Sequence, residues 1–121
     1  MYDQKLIRNV LSQILEASGR IKRRFASIQS PDDFIANDDG IDRLDAICMM
    51  LIAIGESLKY LDKITGGKLF EQYPEVDWKG AKGIRDIISH HYFDVDAEIV
   101  YFVCKERLPF LIQTIQKMNQ K

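Results

Sequence analysis

Cysteine, proline, histidine and tryptophan are all scarce in this chain. Among 121 residues there are two cysteines, three prolines, two histidines and one tryptophan. Cys48 and Cys104 stand far apart in apolar surroundings, with no Cys-x-x-Cys pair or Cys/His spacing nearby. That argues against a disulfide scaffold or a zinc module and predicts two reduced core thiols in a cytoplasmic protein. Only seven glycines accompany the prolines, and 46% of the residues are hydrophobic against 29% charged, so disorder and low complexity are excluded. Long apolar runs are missing as well. The best candidate, Ala46 to Gly55, is about ten residues between Asp45 and Glu56, too short for a bilayer and suited to a core helix. The N-terminus does not resemble a signal peptide, because Leu6, Ile7, Val10 and Leu11 are helically spaced around Arg8 and Asn9. An excess of one charge is also lacking: the formal net charge is −1 and the pI about 6.1. This counts against coating nucleic acid by bulk electrostatics but leaves room for a local basic cleft. One domain over residues 1–121 is long enough to bury a core without a staple.

What the sequence does have is helical periodicity, with almost no period-two alternation. From Tyr2 to Ile28, Leu6, Val10, Ile14, Ile21, Phe25 and Ile28 form one stripe, opposite Gln4, Lys5, Gln13, Glu16, Arg20 and Arg24. That predicts a helix running the length of a bundle. Ser30-Pro31-Asp32-Asp33 reads as an N-cap, a proline at the first position and acids in the first turn of a short helix through Ala36. Asn37-Asp38-Asp39-Gly40 reads as a turn, followed by a long helix from Ile41 to Ile64 that Gly66-Gly67 terminates. Gly55 lies inside that helix at a cost of about 1 kcal/mol, which predicts the close approach of another backbone. Gly67 to Asp77 is expected to connect to a third helix, starting near Val76 or Asp77 and passing through Trp78, Ala81, Ile84, Ile87 and Ile88. A fourth starts after Asp96 as N-cap and uses Ile99, Val100, Phe102, Val103, Leu108, Leu111, Ile112 and Ile115. Pro109 should kink or split it near Lys105 to Arg107. The fold class expected is all-α: an up-and-down four-helix bundle with one or two short additional helices.

Chemistry concentrates in Gly83-Ile84-Arg85-Asp86-Ile87-Ile88-Ser89-His90-His91-Tyr92-Phe93, which holds both histidines. Asp86 and His90 have i,i+4 spacing, so a continuous helix would let the carboxylate orient the imidazole and raise its pKa. Arg85 and His90 diverge by about 140° on an ideal helix. They converge on one phosphate only if the helix ends or distorts near Ser89, or if a second subunit brings its own copy across a two-fold axis. On spacing alone the favoured reading is that Arg85 is a solvated cation and the histidines cap a helix C-terminus. Adjacent histidines without ligand spacing elsewhere make a poor metal site.

The stretch Arg85-Asp86-x3-His90-His91-Tyr92 resembles the Arg-x4-6-His motif of HEPN domains. More narrowly it is similar to the Arg-[Asn/Asp]-x3-His-x-Tyr form of HepT-like toxins. Ile54-Gly55-Glu56-Ser57-Leu58-Lys59 resembles the family's Ile-Gly-Glu-Ala-x-Lys stretch, with Ser57 where alanine is usual. Trp78, the continuation Phe93-Asp94-Val95-Asp96 and Leu108-Pro109 fit as well, so the likeness covers most of the chain. The resemblance implies a metal-independent endoribonuclease, the toxin of a toxin–antitoxin pair, needing no cofactor and acting on RNA by attack of the 2′-hydroxyl. It implies His90 as general acid/base, Arg85 as phosphate clamp and Asp86 as the group that orients His90. Tyr92 matches the position that a nucleotidyltransferase antitoxin modifies with AMP, its alternative being an aromatic that packs at a helix end. His91 stands at a variable position and is a secondary candidate for the cleft, and Glu56 is either an inward-facing cleft residue or part of a solvated face. Lys22, Arg23, Arg24, Lys79 and Lys82 are candidate RNA contacts or simply solvated. A homodimer with two motifs facing one cleft is expected. The alternative is a non-catalytic HEPN module that binds a nucleotide or the nucleotidyltransferase.

Overall fold

The computed structural model describes residues 3–89 and 93–120, so His90, His91 and Tyr92 lie outside the described residues. Helix α1 spans Gln4–Phe25, with Asp3 as its N-cap accepting from the Leu6 N–H at 3.1 Å. It stops three residues short of the predicted end, but Ile28 is still buried through a turn in which its N–H donates to the Phe25 carbonyl at 3.0 Å. The predicted short helix is one 3-10 turn, Pro31–Phe34. Ser30 makes no side-chain cap. The Asp33 carboxylate accepts from the Gln29 N–H at 2.8 Å instead, and the Phe34 ring is fully buried beneath the turn.

The segment Asn37 to Gly40 is not a turn but the start of helix α2, Asp38–Ile64. Asn37 is its N-cap, with the side-chain oxygen accepting from the Gly40 N–H at 2.8 Å, and Asp38 and Asp39 sit in the positive first turn. Gly40 is required there for space, not flexibility: a Cβ would collide with the Asp33 carbonyl oxygen of the preceding turn. At the other end Gly66 and Gly67 take positive φ of 59° and 78°, which terminates the helix as the sequence predicts. The connector beyond them contains one further short helix, α3 at Lys68–Glu71, whose Phe70 is buried.

The third helix of the bundle is split. Helix α4 covers Trp78–Lys82 and helix α5 covers Ile84–Ile88, with Gly83 between them. The fourth runs as α6, Ala97–Phe102, then a wider π-helical segment, Val103–Arg107, then α7, Leu108–Asn119. Asp96 caps α6 by accepting from the Glu98 and Ile99 N–H groups at 3.0 and 3.1 Å. Pro109 accounts for the π segment: its ring has no N–H to offer Lys105 and crowds that carbonyl, so the backbone widens where the sequence predicts a break. The architecture is therefore an all-α bundle of α1, α2, the split α4–α5 pair and α6–α7. Among the described residues there is no strand, only an isolated antiparallel bridge between Ser89 and Val95. No described helix is long and apolar enough to cross a membrane.

One cluster of buried side chains fills the bundle, centred on Ile47, Leu58 and Leu61 of α2, Val100 of α6 and Ile115 of α7. Both thiols belong to it, Cys48 from α2 and Cys104 from the π segment, and neither is in a disulfide. Burial, with Asp45 nearby, pushes the Cys48 thiol up to about 11. Burial, reinforced by Cys48, pushes Cys104 up to about 12. These are inert core thiols.

Candidate active site

The motif hangs on two short helices, each held by specific contacts rather than by its own length. Asp77 starts α4 by accepting from the Gly80 N–H at 3.0 Å. Trp78 fixes its orientation, with the indole stacked on Phe70 at 4.0 Å and 4° and its N–H donating to the Tyr73 carbonyl at 2.8 Å. Lys82 then reaches Asp62 of α2 at 2.8 Å in a partly buried ion pair. Gly83 closes α4 with its N–H on the Lys79 carbonyl at 3.1 Å, and a Cβ there would press on that same carbonyl at 3.3 Å.

Helix α5 docks on α2 through Ile84 and Ile88, both buried. The contact point is Gly55, as its position in the sequence predicts. A Cβ on Gly55 would come within 2.9 Å of the Ile84 Cγ2 and 3.3 Å of the Ala81 and Lys82 carbonyl oxygens. The glycine lets the motif-bearing helices lie directly against the α2 backbone.

Arg85 and Asp86 are exposed on α5. The helix ends at Ile88, and Ser89 is fully extended at φ −161° and ψ 139°. This interruption is the one that the 140° mismatch between Arg85 and His90 calls for. It also ends, at Ile88, the helical spacing that would set Asp86 beneath His90. Ser89 pairs with Val95, and the Asp96 N–H donates to the Ile88 carbonyl at 2.9 Å. The two flanks of the His90–Tyr92 stretch are thereby tied together, with the α6 cap directly beyond. Where the imidazoles and the Tyr92 ring lie falls outside the described residues.

The remaining sequence candidates do not form one group. Glu56 is exposed rather than inward-facing in the single chain, and it pairs with Lys59 at 3.5 Å. Lys22 and Arg23 are exposed at the end of α1, while Arg24 is half-buried. The Arg24 carbonyl accepts from the Arg43 guanidinium at 3.1 Å, which places this basic turn beside the start of α2. Lys82 pairs with Asp62 near the far end of α2, about 28 Å away along the helix axis at 1.5 Å per residue. The two basic groups therefore do not form one surface. Among the described residues no three His, Cys, Asp or Glu side chains gather to hold a metal ion.

The sequence reading missed an apolar cleft beside α5. It measures about 360 Å³ and lies between α4–α5 on one side and α6, the π segment and α7 on the other. Ile87 and Phe102, read as core positions, line it while remaining 44% and 49% exposed, and Phe110 is 46% exposed beside them. Arg107 stands at the cleft with its guanidinium 5.6 Å from the Phe102 ring centre. Helical spacing alone marks such residues as core. Their exposure follows from the open space between the two walls. Ile87 and Arg85 diverge by about 160° on α5, so the cleft and the arginine occupy opposite flanks of the motif helix.

The chain is thus an all-α bundle with an exposed arginine on a short helix that ends just before a histidine pair in the sequence. The family model that matches residues 7–118 is described as "Ribonuclease HepT-like". The chain is a member of the HepT-like ribonuclease family. Over 117 residues it is 31% identical to "Putative RNase TTE0752" of Caldanaerobacter subterraneus, covering 97% of both chains. "Putative RNase MJ0127" of Methanocaldococcus jannaschii is 33% identical over 73 residues, or 60% of this chain and 57% of that protein. "Gamma-glutamylcyclotransferase and putative RNase MJ0434" of the same organism is 28% identical over 98% of this chain. The aligned region spans 57% of the first of these archaeal relatives and 50% of the second, so the chain matches only part of each. No solved structure matches the chain significantly.

Proposed function

We propose that the protein is a metal-independent endoribonuclease and the toxin of a toxin–antitoxin pair. The observation that carries this reading is the end of α5 at Ser89, inside a motif that needs its arginine and histidine freed from one helical register. Membership of a family described as ribonucleases supports it. In the proposed reaction His90 removes the proton of an RNA 2′-hydroxyl, whose oxygen attacks the adjacent phosphorus. Arg85, exposed and facing solvent, stabilises the negative charge that develops on the phosphate oxygens. The 5′-oxygen leaves with a proton delivered by an acid, and a 2′,3′-cyclic phosphate remains. Asp86 is the orienting carboxylate, reaching His90 across the break at Ser89 rather than along a helical turn. The working form is a homodimer, which brings two motifs to one cleft. A nucleotidyltransferase antitoxin silences it by transferring AMP to the Tyr92 hydroxyl.

Cleavage of total cellular RNA by the purified protein in EDTA tests this. The wild type should cut and leave cyclic phosphate ends. Arg85→Ala and His90→Ala should each slow cleavage by about 10²-fold or more while the melting temperature stays nearly constant. A large loss of stability with unaltered cleavage would identify a structural histidine. No cleavage by protein whose Tyr92 is shown by mass to be unmodified would favour a second reading, a non-catalytic module that binds a nucleotide or the nucleotidyltransferase. The net charge of −1 and the engagement of Lys82 by Asp62 are what speak for that second reading.

A further inference from the structure

Phe93, which follows the motif directly, is 98% exposed. A phenyl ring held wholly in water forgoes the largest apolar burial its side chain can offer. The same chain carries an open apolar cleft of about 360 Å³, larger than a phenyl ring and lined by side chains that are themselves half exposed. Their charges are complementary too. Asp94 is exposed next to Phe93, and Arg107 at the cleft has no carboxylate within ion-pair distance among the described residues. Donor and acceptor also lie close together in the chain, because Ile87 of the cleft is only six residues before Phe93. One two-fold axis beside α5 can therefore serve both exchanges, closing a dimer instead of propagating a filament.

We infer that Phe93 of one copy seats in the Ile87–Phe102–Phe110 cleft of a second copy, with Asp94 meeting Arg107, in a reciprocal exchange. The inference deepens the dimeric reading above by naming its surface and depends on that reading. The exchange brings Ile87 and Phe93 of both copies, which bracket the histidine pair in the sequence, to one interface. By symmetry a single substitution removes two anchors. Phe93→Ala should raise the dimer dissociation constant by about 10³-fold, as expected for two central aromatic hot spots.

Sedimentation velocity of the full chain measures this, with circular dichroism to show that each variant folds. The expected result is a wild-type dimer that Phe93→Ala dissociates. Asp94→Arg and Arg107→Asp should each weaken it, and the two together should restore it. A short bis-maleimide supplies the second measurement, on a mixture of Phe93→Cys chains and Phe110→Cys chains of different mass. Cys48 and Cys104 are buried and contribute little background. A mixed cross-linked pair supports the exchange. A monomeric wild type, or a dimer indifferent to Phe93→Ala, overturns it. So does cross-linking confined within one chain when both cysteines are placed together, since Phe93 would then cover its own cleft. Loss of oligouridine binding in Phe93→Ala with the dimer intact also overturns it and hands the ring to an RNA base. Neither measurement uses cleavage: a Phe93-dependent dimer that cuts no RNA defeats the nuclease reading and leaves the interface standing.

Discussion

The two halves of the molecule are built on different plans. The α1–α2 hairpin consists of helices of 22 and 27 residues, each capped by a side chain at its N-terminus and fastened by long buried stripes. The half that carries the motif uses helices of five residues, α4 and α5, which could not persist alone in water. They exist because Asp77, Trp78 and the Lys82–Asp62 pair hold them, and because Gly55 lets them lie against α2. The comparison teaches that the long helices form a platform and the short ones an attachment. Helix α5 ends at Ser89 while the long helices run on unbroken, so the motif stretch leaves helical register without interrupting the platform.

Glycine substitutions separate the two plans. Gly40→Ala should be the most damaging, at about 3 kcal/mol, because the added methyl meets the Asp33 carbonyl, which is backbone and cannot swing away. Chemical denaturation should show it as a global loss. A cost under about 1 kcal/mol would mean that the Pro31–Phe34 turn yields freely. Gly55→Ala should cost about 1–3 kcal/mol, because its methyl meets the Ile84 Cγ2, a branch methyl on a stiff side chain, along with two carbonyl oxygens. Hydrogen exchange should place the weakening on residues 78–88 and leave α1 protected. Equal loss of protection in α1 would refute the division into platform and attachment. Gly19→Ala, with nothing within 4 Å of the new methyl, should stabilise the platform by about 0.5–1 kcal/mol in the same denaturation experiment.

A last expected effect concerns pH and is confined to alkaline solution. The Cys48 and Cys104 thiols are raised in the folded state from 9.0 to about 11 and about 12. Below pH 9 both are neutral in folded and unfolded chains, so their contribution to stability is fully present. Between pH 9 and 12 the unfolded chain loses these protons first, and stability falls as pH rises. The melting temperature of the wild type should therefore drop more steeply above pH 9 than that of a Cys48→Ala/Cys104→Ala variant. Parallel curves would show that the thiols are not the buried neutral groups described.

Much of this was legible in the sequence, and the physics explains which parts. The α1 and α2 stripes, Asp96 as a cap, the Gly66-Gly67 stop, the close approach at Gly55 and the break before Pro109 are all local rules obeyed locally. Asn37 to Gly40 was read as a turn because Asn, Asp and Gly also serve turns. Only the Asp33 carbonyl, folded back from the preceding turn, shows why glycine stands inside a helix there. The split at Gly83 was hidden because the apolar spacing from Trp78 to Ile88 carries straight across it. Arg85 and Asp86 were legible as candidates through the motif. The open cleft was not, since helical spacing assigns Ile87 and Phe102 to the core and cannot register the distance between two walls.

The Trp78–Phe70 stack has a consequence for optics. The chain has one tryptophan, and it sits in the attachment, with its indole N–H bonded to the Tyr73 carbonyl and its face shielded by Phe70. Its fluorescence is therefore a native reporter for one half of the molecule. Circular dichroism, dominated by the long α1 and α2 helices, reports mainly on the other. Followed together during unfolding, the two signals resolve the release of the motif from the melting of its platform without any label.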